Sequence, residues 1–469
     1  MTADTLLVEP AAVEAAIARA LSGGAEFAEV FVEDRRSVAI GLDDRKVEQL
    51  STGRDRGAGI RVIAGETTGF AHTADLSEAG LLAAAEAAAA VARTGSGRTR
   101  RVALEGRRAG ALSAATVAPE SVSKADKVEL LRRADEAARA SGGEIVQVSA
   151  GYGDSRRRIL VANSDGLLVS DDQVRVRFGV SCVASGDSGL QTGYESLALT
   201  VGFDLFDRYD VEEVAEQAAR QALSKLTARP APSGVVPVVI ERGSGGVLFH
   251  EACGHGLEAD HIAKDASAFA GRVGQMVASP LVTLVDDGTV AEQWGTAAID
   301  DEGRASQRNV LIEDGVLTDY LWDHLRARKE GRSSSGNGRR QSYQHLPMVR
   351  MTNTFLLAGK EDPDELVAQT PYGIYVAKLG GGQVNTATGD FVFGMTEAYL
   401  IEDGHLTQPL RNANLIGNGP EVLTRIDAVA NDFAMSPGSC GKDGQSVPVG
   451  CGQPTLRVTG ITVGGTADA

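Results

Sequence analysis

Cysteine is scarce in this chain: four residues in 469, at positions 182, 253, 440 and 451. So few thiols over such a length do not make a disulfide framework. They read as the reduced thiols of a cytoplasmic protein, free to act as ligands. Basic charge is short as well, with 46 lysines and arginines against 63 aspartates and glutamates, a formal net charge of −17. That balance argues against a nucleic-acid-binding surface and describes a soluble, self-repelling exterior. The arginine-rich run from Arg98 to Arg108 reads as a solvated connector. Long apolar runs are missing: the most apolar stretch, Leu81 to Ala92, is interrupted by Glu86 and too short to span a bilayer. The amino terminus has acidic residues where a signal peptide would be basic. Neither nucleic acid nor a membrane is expected as a partner.

Histidine is also sparse, yet two of the seven fall together in Val247-Leu-Phe-His-Glu-Ala-Cys-Gly-His-Gly-Leu257. His250, Glu251 and His255 form the pattern His-Glu-x-x-x-His. Neutral imidazoles are good zinc ligands, and an adjacent carboxylate can take a proton from water. In the commoner His-Glu-x-x-His the histidines are i and i+4 and share a helix face. At i and i+5 they stand about 140° apart on an ideal α-helix and do not. A π-bulge, one extra residue in the turn, would bring them back together. Gly254 and Gly256 would ease that distortion through their backbone freedom. The bland alternative is a buried amphipathic helix with two neighbouring histidines.

The fold class expected is α+β, with two domains. Residues 1–228 read as a mixed α/β region with antiparallel sheet, facing substrate or partner. Helices are expected over Glu9–Leu21, Leu76–Arg93, Lys124–Ala140 after the N-cap Ser123, and Val211–Leu226. Short strands are expected at 28–32, 38–42, 47–51, 59–63 and 67–73, with further hairpin strands around Asn163-Ser-Asp-Gly166. Gly95–Gly110 reads as an exposed connection. The prolines and small residues of 229–234 suit a linker. Residues 235–469 read as a β-rich catalytic domain that carries the histidine helix. Its first strand, Val235–Ile240, contains Pro237 and is expected at a sheet edge.

Leu311-Ile-Glu-Asp-Gly-Val-Leu-Thr318 recurs as Leu400-Ile-Glu-Asp-Gly-His-Leu-Thr407, which predicts two equivalent hairpins and some pseudosymmetry. The run from Gly336 to Pro347 is dense in hydrogen-bond donors and reads either as an exposed loop or as an active-site loop. Leu379 to Thr388 looks like an open strand edge able to receive an extended peptide. Near the end, Cys440 sits in a glycine-flanked turn and is a candidate third ligand, which with two histidines leaves one zinc position open. Glu258, Asp260 and His261 are alternatives. Cys253 would point away from the histidines, and Cys451 reads as a small buried hydrophobe.

Together, His-Glu-Ala-Cys-Gly-His-Gly-Leu-Glu, Gly-Arg-Arg-Gln-Ser-Tyr, Arg-Met-Thr-Asn-Thr and Cys-Gly-Lys-Asp-Gly-Gln-Ser-Val-Pro-Val-Gly resemble the TldD/PmbA family, its TldD branch in particular. The resemblance covers nearly the whole chain, from around Glu26 to Thr462-Val-Gly-Gly-Thr466. It implies a cytoplasmic zinc metalloprotease with one zinc ion, acting on unfolded peptides or peptide precursors as a heterodimer with a PmbA/TldE-like subunit. Carried over, His250, His255 and Cys440 are the metal ligands and Glu251 is the catalytic base. Cys451 departs from the family pattern. Arg340, Tyr343 and His345 are candidates for the donor that stabilises the oxyanion. Two other readings stay open: a zinc hydrolase of non-peptide amides, and a non-catalytic zinc-containing binding or regulatory subunit.

Overall fold

The computed structural model describes residues 7–92, 102–110, 112 and 115–465. The chain is α+β. Its first sheet is built on two long strands, β1 (Phe27–Asp43) and β2 (Lys46–Ala64), paired antiparallel along their whole length. Four short strands were expected here. The gaps are polar and glycine-rich and look like turns, yet they continue the ladder. Across it Arg54 makes a bidentate ion pair with Asp34 at 2.9 and 2.7 Å. A strand with one face off the core tolerates such residues. The turn falls at Asp44 and Arg45, both at positive φ, as a tight hairpin requires. β3 (Thr67–Thr73) follows on β2. The run from Arg98 to Arg101 lies outside the described residues, but Glu105–Arg108, within the expected connection, is a strand, β4. It pairs in parallel with β6 (Leu167–Gly186), which lies between β5 (Ile145–Asn163) and β7 (Gly189–Leu199).

Helices α1 (Pro10–Leu21), α2 (Glu78–Val91), α3 (Lys124–Ala140) and α4 (Val211–Leu226) cover this sheet. Ser123 caps α3 by accepting from the Asp126 N–H. The first helix pair packs on Val30 and Val32 of β1, the second on Ile40 and Leu42. These residues share one parity, so both pairs lie on one face. The other face, with Glu29, Phe31, Glu33 and Arg35, is left for the second half of the chain. Among the described residues no helix is long and apolar enough to cross a membrane.

The stretch 229–234 is built into the second half: Arg229–Pro230 pairs in parallel with the strand His405–Arg411, and Ala231 is fully buried. Five strands then close a barrel. In order around the ring they are β8 (Gly234–Ile240), β14 (Leu456–Gly464), β11 (Ala413–Asn418), β10 (Asp390–Glu402) and β9 (Tyr372–Val384), which returns to β8. β8 is therefore interior, not the edge that Pro237 suggested. Its partner β14 shifts register between Val458 and Ile461, and the parallel pairing to β9 starts at Val238. The proline thus sits where neither ladder asks for its missing N–H. The expected open edge in β9 is half closed. Leu379–Val384 pairs with β10, while its other side has no ladder partner beyond Val376 among the described residues.

A six-stranded sheet lies beside the barrel and ends in a hairpin of β12 (Ala434–Lys442) and β13 (Gln445–Gln453). The two repeated Asp-Gly hairpins have the same turn, with positive φ at Asp314–Gly315 and Asp403–Gly404, but they occupy different sheets. A third such turn, Asp443–Gly444, closes the β12–β13 hairpin.

Candidate metal centre

The histidine segment is one composite helix. Gly246–Phe249 is α-helical, His250–Gly254 is a π turn, and His255–Leu257 is 3₁₀. Leu248, Phe249, Ala252, Cys253 and Leu257 pack into the core with residues of all five barrel strands. The helix enters close to β13, where a Cβ on Gly246 would stand 2.3 Å from the Gly452 nitrogen. Within the π turn the His255 N–H bonds to the His250 carbonyl. That extra residue turns two side chains spaced for opposite faces onto the same one. Their ring centroids are 5.1 Å apart and nearly perpendicular. Gly254 serves the turn differently from the expectation. Its backbone is ordinary, φ −56° and ψ −49°, but a Cβ there would lie 2.1 Å from the Met351 sulfur. Glycine is needed for close packing, not for unusual angles.

The β12–β13 hairpin brings Cys440 to the histidines. Its Sγ lies 3.3 Å from Nε2 of His255, and the donor atoms of His250, His255 and Cys440 all fall within 4.8 Å of one another. All three residues are buried. Burial pushes the Cys440 thiol up, but His250 and His255 outweigh it and bring it down to about 4. The sulfur is thus a thiolate at neutral pH, the form that ligates metal. Burial lowers His255, yet Glu258 and Cys440 raise it to about 9. His250 rises well above the ordinary histidine range, with burial opposing and Cys451 and Cys440 raising it. Both ring nitrogens of His250 are buried without a hydrogen-bond partner. Such orphaned groups are uncommon and call for an unseen partner. Two imidazoles and a thiolate fit a zinc-like ion as donors.

Around the three donors the chain supplies orienting groups. Glu258 Oε2 lies 3.0 Å from Nδ1 of His255 and accepts from Lys442 Nζ at 2.8 Å. Burial would raise the Glu258 carboxyl, but His255 and Lys442 hold it down at about 2. Lys442 also donates to Asp260 at 2.8 Å and to the Val349 carbonyl at 3.1 Å. Glu258 and Asp260, weighed from sequence as third ligands, are therefore engaged by a lysine. Arg350, fully buried, donates to the Cys440 carbonyl at 2.5 Å. Lys442 and Arg350 were missed in the sequence. The signal for Lys442 was its spacing from Cys440: two residues apart on a strand, both point inward. Glu251 is the least buried of the group: its Oε2 is 3.7 Å from His255 Nε2, and its side chain keeps 25% of its accessible surface.

Three family models match the chain in order: PmbA/TldA metallopeptidase domain 1 over residues 28–92, the central domain over 118–226 and the C-terminal domain over 233–465. The chain belongs to the PmbA/TldD family. It is a metallopeptidase of that family, as its relatives' names agree. A metalloprotease TldD homolog of Haemophilus influenzae is 42% identical over 449 residues, covering 94% of this chain and 93% of the relative. A metalloprotease of Methanothermobacter thermautotrophicus is 36% identical, covering 94% and 96%. Among solved structures, TldE from Thermococcus kodakarensis has the same fold, with a TM-score of 0.78 at 22% identity over 96% of this chain and 99% of that one.

The remaining TldD/PmbA-like motif, Gly-Arg-Arg-Gln-Ser-Tyr, is mostly buried and holds the two halves of the molecule together. Arg340 donates to Glu29 of β1 at 2.5 Å and to the Asp301 carbonyl at 2.9 Å, with its guanidinium 4.3 Å from the Phe31 ring centroid. The Tyr343 N–H donates to Glu33 at 2.9 Å, and its ring fills the space beside Gly57. His345 Nδ1 lies 2.9 Å from the Ser342 hydroxyl. Among the described residues no hydrogen bond joins Arg340, Tyr343 or His345 to His250, Glu251, His255 or Cys440. Arg340 Nη2 and the Tyr343 backbone N–H are thus committed to Glu29, Asp301 and Glu33, while the Tyr343 hydroxyl accepts from Gln344 at 3.2 Å and Nε and Nη1 of Arg340 are buried without a partner.

Proposed function

We propose that the protein is a zinc-dependent peptidase that hydrolyses unfolded peptides or peptide precursors in the cytoplasm, as a heterodimer with a PmbA/TldE-like subunit. His250, His255 and Cys440 would hold the single ion, and Glu251 would be the general base. The observation that carries this reading is the pair of buried, unpartnered nitrogens on His250, within 4.8 Å of the donor atoms of His255 and Cys440.

Bound zinc supplies Lewis acidity, which makes water a nucleophile near neutral pH. Glu251, partly exposed beside His255, would take a proton from the water and return it to the leaving amine. With Glu258 accepting from the Nδ1–H of His255, Nε2 would be the nitrogen left to ligate the ion. Lys442 and Arg350 hold Glu258 and the Cys440 strand in place. The engagement of Glu258 and Asp260 by Lys442 favours an open fourth position over a closed structural site.

The test is cleavage of an unstructured peptide by the chain co-purified with its PmbA/TldE-like partner, beside Glu251→Gln and a folded protein substrate. Turnover of the peptide alone, and only by the wild type, supports the reading. A zinc-loaded complex that cleaves small amides but no peptide favours a non-peptide amidase.

A further inference from the structure

The face of the first sheet turned away from its helices opens onto a cavity of about 1080 Å³, closed opposite by Trp294, Arg339 and the β12–β13 hairpin. Its floor is low. Gly41, Gly151, Gly179 and Ser181 line it, and a Cβ built on Gly151 would meet nothing within 4 Å. The packing of the chain does not require glycine there, so the space above it is left for something else.

Two guanidiniums at the wall of this cavity make no direct ion pair among the described residues. Arg175 and Arg339 are 6% and 7% exposed. Arg175 donates to the Trp294 carbonyl at 3.2 Å, the Gln173 amide oxygen at 2.8 Å and the Thr296 carbonyl at 2.9 Å. Arg339 donates to the carbonyls of Met351 and Pro448 at 2.5 and 2.7 Å. All these acceptors are neutral. Carboxylates act on them only from beyond ion-pair distance, Asp171 and Asp301 on Arg175 and Asp301 and Asp286 on Arg339, and Asp301 already accepts from Arg157 and from the Arg340 N–H, each at 2.8 Å. Arg157 itself is matched by Glu33 and Asp301, with its Nη2 left buried and unpartnered. Burial, then repulsion from Arg339 and Arg157, pushes Arg175 down to about 9 against the pull of Asp171 and Asp301. Burial likewise brings Arg339 down to about 10. Buried cations are ordinarily paired, because desolvation without a counter-charge is costly. An anion entering the cavity would supply the pairing, and the planar guanidinium fork matches a carboxylate bidentately.

We infer that Arg175 and Arg339 form a carboxylate-binding subsite of this cavity, taking the C-terminal carboxylate or an acidic side chain of a peptide. The inference rests on the peptidase reading above, which makes a peptide the ligand and a carboxylate its anion. Arg339 links the subsite to the metal centre through Pro448, whose strand neighbour is Ser439, next to Cys440.

The test uses the full-length Glu251→Gln chain, so that bound peptide is not cleaved, and reads Trp294 fluorescence at the cavity wall. Three forms of one alanine–serine peptide are titrated: free carboxyl terminus, terminal amide, and the amide with one internal glutamate. The free acid, the glutamate form or both should bind about tenfold or more tightly than the plain amide. Tight binding by the free acid alone assigns the terminus; tight binding by the glutamate form assigns the side chain. Arg175→Gln and Arg339→Gln should abolish the preference, and Arg175→Lys should keep part of it. The three-peptide comparison decides the matter even where a glutamine variant fails to fold. Equal binding of all three overturns the subsite, and the peptidase reading survives if the wild-type complex cleaves the plain amide. Absence of binding by every form, with no cleavage, overturns both.

Discussion

Oε2 of Glu258 stands 3.0 Å from Nδ1 of His255, and the same carboxylate accepts from Lys442. One buried carboxylate thus fixes the tautomer of one proposed ligand and ties it to the strand that carries another, since Lys442 and Cys440 share β12. Partners of this kind typically change metal affinity 10- to 100-fold when removed, as an order of magnitude. Glu258→Gln should therefore weaken zinc binding by about that factor while leaving the fold intact. Competition with a chromogenic chelator measures it, and unchanged affinity would show that the contact does not orient His255.

Glu251→Gln should retain zinc and lose turnover by about 10²–10⁴-fold, the usual weight of a general base. Metal analysis and peptide cleavage on the same preparation check both halves. A variant of full activity would sink the assignment.

Cys440→Ser should lower zinc content sharply, and Cys451→Ser should not. Both thiols lie near His250, but only Cys440 joins the set of mutually close donors. Equal zinc in the wild type and Cys440→Ser removes Cys440 from the ligand set.

Zinc binding should release protons from imidazole, not from the thiol. In the metal-free chain His255 is held up at about 9 and Cys440 down at about 4. At pH 7 the cysteine is already ionised, while His255 must lose a proton to ligate. Affinity should rise with pH through about 9, with His250, also held above the ordinary histidine range, adding to the rise. The raised His255 value also stabilises the metal-free fold fully below pH 6.5, a contribution lost as pH climbs through about 9. Calorimetry in two buffers of different ionisation heat reads the release, and none at pH 7 contradicts the prediction.

Gly254→Ala should destabilise the protein by about 1–3 kcal/mol through overpacking against Met351. Met351→Ala in the same background should recover part of the loss. Thermal melts of the single and double variants separate this from a backbone effect, which the second substitution would not relieve.

Much of the site could be read along the chain. The i, i+5 spacing of His250 and His255 carried its own demand for a π turn, because helix geometry depends only on neighbouring residues. The same holds for the Asp-Gly turns and for the cap at Ser123, all local matters. Strand length was harder: polar residues between apolar runs look like turns until a partner such as Asp34 to Arg54 shows that the ladder continues. What the tertiary structure alone decided involves residues far apart. Glu258 meets Lys442 across 184 positions, and Arg340 meets Glu29 across 311. Composition and periodicity report what a residue needs from its immediate neighbours. Which distant charge it faces, and which buried arginine makes no direct ion pair, is set by the order in which strands join a sheet.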